Sequence, residues 1–244
     1  MSRHTKIVAT LGPASSTTEV LENLVQAGID VVRMNFSHGT VEDHIARATG
    51  IRAAAAKYGR TVGILGDLQG PKIRVGKFEG GKITLVPGEN FILDAQCPLG
   101  NQERVGLDYK DLPKDVVNGD ILLLDDGRLK LEVLGVRMHE IHTRVLVGGD
   151  LSNNKGINRQ GGGLTAPALT AKDMDDIKTA AQIGVDFVAV SFPKSAADMY
   201  MARQLLRAAG SSAVLIAKIE RVEAITNLAE ILDASDGIMV ARGD

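Results

Sequence analysis

Residues 6–39 read KIVATLGPASSTTEVLENLVQAGIDVVRMNFSHG, and this stretch decides the fold class. It begins with the short apolar run IVATL and ends with a second one, DVVRMNF. The segment between them has apolar residues at helical spacing, which predicts an amphipathic helix. Ser16 and Glu19 are expected to form a capping box at its start, and Gly28 is expected to end it. Such a strand–helix–strand unit with continuous apolar strands is typical of a parallel sheet covered by helices.

The same alternation continues on both sides of a long interruption. A helix expected from Val41 to Tyr58 and the strand VGILGDL complete three strands before residue 71. Three more strands follow residue 164, written FVAVSF, LIAKIE and GIMVARGD. Their companion helices are expected from Thr170 to Gly184, from Ser195 to Ala209 and from Val222 to Leu232. Because a barrel of this kind closes at eight strands, the six strands predict an α/β fold that is an incomplete (β/α)8 TIM barrel.

The interruption, residues 72–163, has a different character. It contains strand-like runs such as KITLV, NFILDA and IHTRVLVGG, and turn dipeptides such as Pro-Gly and Asn-Gly. We predict a small all-β domain, inserted after the third barrel strand, without a helix of ordinary length. The expected domain boundaries are therefore 1–71 and 164–244 for the barrel and 72–163 for the insert. His139 and His142 lie in a polar strand of the insert and are expected to face solvent.

Composition limits the classes of function. Hydrophobic residues make up 44% of the 244 residues and charged residues 24%, as in ordinary globular proteins. The net charge of -2 offers no basic surface for nucleic acid, and no run of about 18 apolar residues predicts a membrane span. The single cysteine, Cys97, cannot form an internal disulfide. These features predict a cytoplasmic protein that binds neither nucleic acid nor membrane.

Polar side chains cluster at the carboxyl ends of four predicted barrel strands, which is where βα barrels carry their active sites. They are Arg33, Asn35 and Ser37; Asp67; Lys218 and Glu220; and Arg242 and Asp244. Each group alone has another interpretation, as a solvated ion pair, a helix cap or a turn residue. Their convergence on one end of one barrel favours an active site instead.

The residue types indicate the chemistry. Glu220 and Asp244 are carboxylates on neighbouring strands, which suits a hard divalent cation such as Mg2+. Lys218 and Arg33 would supply positive charge to a phosphoryl group during its transfer. The sequence contains neither a P-loop nor a dinucleotide-binding glycine motif. It therefore predicts metal-assisted phosphoryl transfer at the barrel end.

Several motifs, in order, carry a resemblance to a known family. They are KIVATLGPAS, AGIDVVRMNFSHG, GDLQGPKIR, LLLDDGR, LTAKDMDDIKTAAQIGVDFVAVSF, AKIER and MVARGD. Together they resemble pyruvate kinase over the whole length of the chain. The resemblance implies a (β/α)8 barrel with a β lid inserted after the third strand. It also implies phosphoryl transfer from phosphoenolpyruvate to ADP, giving pyruvate and ATP, as the last step of glycolysis.

The resemblance further implies roles for individual residues. Lys218 looks like the lysine that stabilises the transferring phosphoryl group and the enolate, and Arg33 looks like the arginine that contacts that group. Glu220 and Asp244 look like ligands of Mg2+ or Mn2+, and Gly243, beside Asp244, looks like substrate-binding backbone. The implied nucleotide contacts are Asn35, His38, Arg74 and Lys155, the implied K+ pocket is Asn35, Ser37, Asp67 and Leu68, and the implied lid carboxylate is Asp126.

Two features depart from the family pattern. Many members have a glutamate after the Gly-Pro of GDLQGPKIR and need K+, whereas this sequence has Lys72 there. We expect the Lys72 ammonium to replace K+, so that the enzyme is of the K+-independent type. The family's last two barrel strands, its C-terminal domain and its homotetramer surfaces have no counterpart in the 244 residues. We therefore expect little or no turnover from this chain alone.

Two alternatives stay open at this point. One is another Mg2+-dependent barrel enzyme that acts on phosphoenolpyruvate or pyruvate, such as a lyase or a mutase. The other is a folded fragment or binding module without catalytic activity. The inserted β domain and the strand that carries Arg33, Asn35 and Ser37 favour the kinase over a lyase or mutase.

Overall fold

The computed structural model describes residues 4–241, which fall into two compact units. The first unit contains residues 4–71, Pro167–Glu220 and Ala224–Ala241. The second contains Lys72–Ala166 together with Arg221–Glu223. Each unit has its own hydrophobic core. Among the described residues, no helix combines the length and the apolar character that crossing a lipid bilayer requires.

The first unit opens with alternating strands and helices. Its elements up to residue 71 are strand β1 (Val8–Leu11), helix α1 (Thr18–Ala27), strand β2 (Val31–Asn35), helix α2 (Val41–Lys57) and strand β3 (Gly63–Asp67). Helix α1 ends as expected at Gly28, which adopts a left-handed conformation with φ of 92°. Helix α2 ends one residue before Tyr58, close to the predicted boundary.

The second unit consists of strands and one short helix. Its elements are β4 (Lys82–Leu85), β5 (Asn90–Asp94), β6 (Arg104–Gly106), α3 (Leu112–Asp115), β7 (Ile121–Leu124), β8 (Leu129–Arg137), β9 (Glu140–Val147), β10 (Gly149–Ser152) and β11 (Ile157–Arg159). Six strands form one sheet in the order β11-β7-β8-β9-β5-β6, and β4 pairs with β10. The sequence did not predict β6, β10, β11 or α3, which are three or four residues long and carry no clear apolar pattern of their own.

The chain then returns to the first unit. Its remaining elements are α4 (Ala171–Ile183), β12 (Phe187–Val190), α5 (Ala196–Ala208), β13 (Val214–Ile219), α6 (Val222–Thr226), α7 (Leu228–Ala234) and β14 (Gly237–Val240). The six strands of this unit pair in parallel in the order β1-β2-β3-β12-β13-β14. Each strand lies beside the one that precedes it in this unit, as in a (β/α)8 barrel. The fold is therefore α/β, with an incomplete barrel.

Two local predictions are wrong. The N-cap of α1 is Thr17, whose side chain accepts a hydrogen bond from the Val20 amide. The Ser16 hydroxyl instead donates to the Gly12 carbonyl at 2.6 Å, so the predicted capping box does not form. The helix expected from Val222 to Leu232 is divided into α6 and α7, because Asn227 leaves the helical conformation with φ of -101° and ψ of 20°.

Candidate active site

Strand β2 turns alternate side chains to two different environments. Its even-numbered residues are buried in the core of the first unit, as is Phe36 just beyond the strand. The odd-numbered residues Arg33 and Asn35, and Ser37 after them, are only partly buried. Successive strand residues point to opposite faces of a sheet. The apolar alternation therefore directs Arg33 and Asn35 to one side of the strand, and Ser37 follows in the turn after it.

Arg33 is held by Asp67 on the neighbouring strand β3. The β2–β3 register pairs Asn35 with Asp67. Arg33 Nε and Nη2 each lie 2.6 Å from Asp67 Oδ2, and Nη1 donates to Thr10 Oγ1 at 3.0 Å. The Asp67 side chain is 1% exposed and that of Arg33 is 26% exposed. The two residues form a largely buried, charge-assisted contact that fixes the guanidinium.

Lys218 brings a second cation to the same carboxylate. Its Nζ lies 3.3 Å from Asp67 Oδ1 and 3.0 Å from Glu220 Oε1, and it donates to Ser191 Oγ at 2.8 Å. Asp67 Oδ1 is buried and accepts no hydrogen bond, so its contact with the ammonium is ionic, outside hydrogen-bond geometry. With Arg33, the cluster holds two cations and two carboxylates, and their formal charges cancel.

Ser191 and Phe192 join this cluster although sequence reasoning assigned them no role. Ser191 Oγ donates to the Leu68 carbonyl at 2.7 Å, so it links the loop after β3 to the Lys218 ammonium. Phe192 has φ of 55°, which is uncommon outside glycine, and its amide donates to Glu220 Oε2 at 3.1 Å. Ser191 could have been noticed in the sequence, because it is a polar residue directly after the apolar run FVAV. Nothing in the sequence indicated the unusual backbone conformation of Phe192.

The turn after β2 carries three predicted site residues. Asn35 Oδ1 accepts the Ser37 amide at 3.0 Å, and the Asn35 carbonyl accepts the His38 amide at 3.2 Å. Asn35 therefore closes the turn with both its side chain and its backbone. His38 is exposed at the surface of the unit, while Asn35 and Ser37 are partly buried.

Oxygen atoms at the cluster suit a hard cation. Glu220 presents a carboxylate whose side chain is 7% exposed, and the buried Asp67 Oδ1 has no hydrogen-bond donor. Carboxylate and carbonyl oxygens are the ligands that such cations prefer. Arg242, Gly243 and Asp244 lie outside the described residues, so what the sequence predicts for them stays a prediction.

The predicted site residues of the second unit lie close to one another. The residue after Arg74 donates its amide to the Lys155 carbonyl at 2.9 Å. Lys155 Nζ lies 2.7 Å from Asp125 Oδ1, and Lys72 Nζ lies 4.0 Å from Asp126 Oδ1. The Asp126 side chain is 65% exposed. Three cationic side chains therefore share one region of this unit with two adjacent aspartates.

A further ionic cluster in the second unit contains Asp94, His139 and Glu140, whose ligand atoms lie within 4.8 Å of one another. Arg104 Nη1 lies 3.0 Å from Asp94 Oδ2 and 2.8 Å from Glu140 Oε1, and this guanidinium lowers the pKa of the Glu140 carboxyl. His142 also contacts Glu140, at 3.0 Å. The side chains of His139 and His142 are 34% and 28% exposed, and each also lies beside a carboxylate of this cluster.

Comparison with known proteins gives consistent matches along the chain. Residues 2–244 match the family described as pyruvate kinase, barrel domain. A pyruvate kinase of Haemophilus influenzae is 60% identical over 247 aligned residues, which cover 99% of this chain and 52% of that protein. Pyruvate kinase II of Salmonella typhimurium is 58% identical with the same coverage, and a pyruvate kinase of Mycobacterium intracellulare is 46% identical over 100% of this chain and 52% of that protein. The chain spans about half the length of the curated relatives that it matches.

Proposed function

Because the chain belongs to the pyruvate kinase family, we propose that the cluster at the ends of β2, β3 and β13 is the phosphoryl-transfer site of a pyruvate kinase. The reaction moves a phosphoryl group from phosphoenolpyruvate to ADP and gives pyruvate and ATP. The observation that carries the proposal is the meeting of Arg33, Asp67, Lys218 and Glu220 in one buried cluster. Its charges are held by protein contacts before substrate binds, and phosphoryl transfer depends mainly on such preorganised charge.

Lys218 and Arg33 are the proposed catalytic cations. Both would bind anionic oxygens of phosphoenolpyruvate, and the Lys218 ammonium would stabilise the negative charge that develops on the enolate oxygen. The Lys218 side chain is only 12% exposed, and weak solvation strengthens its electrostatic effect. Asp67 and Ser191 orient these cations through the contacts described above.

Glu220 and Asp244 are the proposed holders of Mg2+ or Mn2+, with the Gly243 backbone beside them at the substrate. Carboxylate oxygens suit either ion. A bound divalent cation supplies charge neutralisation on the phosphoryl and enolate oxygens. Besides holding the metal, Glu220 helps to orient the Lys218 ammonium, because Glu220 Oε1 lies 3.0 Å from Lys218 Nζ.

The nucleotide is proposed to contact Asn35, His38, Arg74 and Lys155. Arginine and lysine side chains are common ligands of diphosphates. We propose that residues 72–163 act as a lid on a barrel made of residues 1–71 and 164–244, with Asp126 moving toward the substrates. A closing lid excludes water from the reacting phosphoryl group. The complete enzyme is proposed to be a cytoplasmic homotetramer.

The proposed function is tested by fusing residues 1–244 to the remaining half of the Haemophilus influenzae relative. We expect the purified fusion to form pyruvate from phosphoenolpyruvate and ADP in the presence of Mg2+, in an assay coupled to NADH oxidation. We expect little or no turnover from the 244-residue chain alone, because its six described strands are fewer than the eight of a closed barrel. A folded fusion that makes no pyruvate, or makes another product from phosphoenolpyruvate, would contradict the proposal.

Lys72 is proposed to make this enzyme independent of K+. The K+ pocket of K+-dependent relatives corresponds to Asn35, Ser37, Asp67 and the Leu68 carbonyl, and we propose that the Lys72 ammonium supplies the charge of that ion. In the fusion, Lys72→Glu is expected to lower activity without K+ by about tenfold or more, since removing one preorganised cation costs at least that much. Activity without and with added KCl measures the effect, and a rise of many-fold in the unaltered fusion would refute the idea. Lys77→Glu, which changes charge at an exposed lysine nearby in the sequence, is the matched control.

A further inference from the structure

The turn after β2 is anchored by a lysine from a distant helix. Lys172 Nζ, in the first turn of α4, donates to the Phe36 carbonyl at 2.6 Å. The Phe36 amide donates to the Asp67 carbonyl at 3.0 Å, so both polar backbone groups of Phe36 are bonded outside the turn. Phe36 lies between Asn35 and His38, which are proposed nucleotide contacts. A change in the position of the Phe36 peptide would therefore move the residues that meet the nucleotide.

The Phe36 ring is fixed as firmly as its backbone. A Cβ at Gly66 on β3 would lie 2.6 Å from Phe36 Cε2, so the ring packs directly against a glycine of that strand. On α2, the His44 ring stands 4.6 Å from the Phe36 ring, centroid to centroid, at an interplanar angle of 60°. His44 is 3% exposed, and burial, assisted by the Arg47 charge, lowers the pKa of its imidazole. The ring of Phe36 therefore has little freedom, and Lys172 anchors its carbonyl.

Lys172 is itself oriented by its own helix. Its Nζ lies 2.6 Å from Asp176 Oδ2, one helical turn further along α4. Burial raises the pKa of the Asp176 carboxyl, and the hydrogen bond from Lys172 opposes this shift. Asp173, which follows Lys172 in α4, is fully buried. Its Oδ1 accepts a hydrogen bond at 3.0 Å from the amide of Gly70, in the loop after β3. The first turn of α4 thus contacts the loops after both β2 and β3.

We propose that Lys172 is a positioning residue for the nucleotide side of the site, which acts through the Phe36 carbonyl to hold Asn35, Ser37 and His38 in place. This inference rests on the proposed function, because that function assigns the nucleotide to this turn. Within residues 4–241, Lys172 makes no hydrogen bond or ion pair with Arg33 or Lys218, so binding of phosphoenolpyruvate should respond much less.

The test uses the full 244-residue chain with the substitutions Lys172→Met and Lys172→Arg. Lys178→Met is the matched control, because Lys178 is on the same helix and pairs with Asp175 at 2.8 Å, and both side chains are more than 70% exposed. Calorimetry with Mg·ADP and separately with phosphoenolpyruvate measures binding. Amide hydrogen exchange at residues 36–38 measures the turn itself. In Lys172→Met we expect about fivefold to tenfold weaker Mg·ADP binding and faster exchange at residues 36–38. The change in binding is smaller than the full loss of a charged hydrogen bond, because Lys172 acts on the nucleotide only through the turn.

The positioning role of Lys172 requires that its replacement weaken the binding of Mg·ADP much more than the binding of phosphoenolpyruvate. In Lys172→Met, the affinity for phosphoenolpyruvate is expected to change less than about twofold. Lys172→Arg is expected to restore most of the Mg·ADP affinity. Lys178→Met is expected to match the unaltered chain in both affinities and in amide exchange. If Lys172→Met bound both ligands equally weakly relative to the unaltered chain, or left the exchange at residues 36–38 unchanged, the positioning role would be overturned. If the unaltered chain binds neither ligand, the same variants are compared in the fusion, where an unchanged KM for Mg·ADP in Lys172→Met would overturn the positioning role. In either protein, faster amide exchange at residues 36–38 in Lys172→Met, restored in Lys172→Arg, would support the anchoring of the turn by Lys172. Unchanged exchange would refute it.

Discussion

Replacing Lys218 by methionine is expected to lower the rate of phosphoryl transfer by about a thousandfold or more. Methionine keeps the apolar stem of the side chain but removes the ammonium that contacts Asp67, Glu220 and Ser191. The loss is large because the ammonium is 12% exposed and already oriented, so water cannot replace it as a source of charge. Asp67 keeps its contact with Arg33, but the buried Glu220 carboxylate loses its cation, so folding of the variant is checked by circular dichroism before activity is compared.

The measurement is pyruvate formation by the fusion with the relative's remaining half, with and without Lys218→Met. Lys178→Met is again the control, since this exposed lysine contacts only the equally exposed Asp175 among the ion pairs of the described residues. It should retain activity to within about twofold, as expected for a surface ion pair. Retention of more than a tenth of the activity by a folded Lys218→Met fusion would remove Lys218 from the catalytic role.

The substitution Asp67→Asn is expected to lower the free energy of unfolding by about 3–5 kcal/mol, the range for removing one partner from a buried ion pair. Asp67 is the carboxylate that both Arg33 and Lys218 contact, and its side chain is 1% exposed. Asparagine has nearly the same shape but carries no charge, so the two cations would lose their shared partner. Because the Arg33 side chain is 26% exposed and partly solvated, we expect the lower end of this range.

Urea unfolding of the 244-residue chain, followed by circular dichroism, measures this effect. The two units have separate cores, so the transition of the first unit is identified by hydrogen exchange in β2 and β3. Asp175→Asn changes the same functional group at a side chain that is 75% exposed and should change stability by less than about 0.5 kcal/mol. If the two substitutions had equal effects, the Asp67 carboxylate would not be the centre of a buried charge cluster.

Several features of the fold could be predicted because they depend on local physics. The alternation of strands and helices follows from apolar periodicity, and it placed the strands β2, β3, β12 and β13 within one or two residues of their ends. The end of α1 was readable because Gly28, which tolerates a left-handed conformation, directly follows the apolar periodicity of the helix. The strands β6, β10 and β11 and the break at Asn227 were missed, since tertiary contacts decide them rather than a repeating pattern.

The contacts of the candidate site depended on the register between strands. The period of two within β2 placed Arg33 and Asn35 on one face, but it did not give their partners. Asp67 meets Arg33 because β2 pairs with β3, and it meets Lys218 although 151 positions separate the two in the chain. No short-range pattern in a sequence encodes a contact at that separation.

The sequence by itself determined the α/β class, the six parallel strands, the all-β interruption and the residue types at the strand ends. Only the tertiary structure decided that one buried aspartate joins two cations, that Ser191 connects Lys218 to the Leu68 carbonyl, and that Lys172 reaches Phe36. The physical reason is the range of the forces involved. Hydrophobic periodicity acts within a few residues along the chain, whereas charge pairing depends on distances in space that the packing of the strands and helices creates.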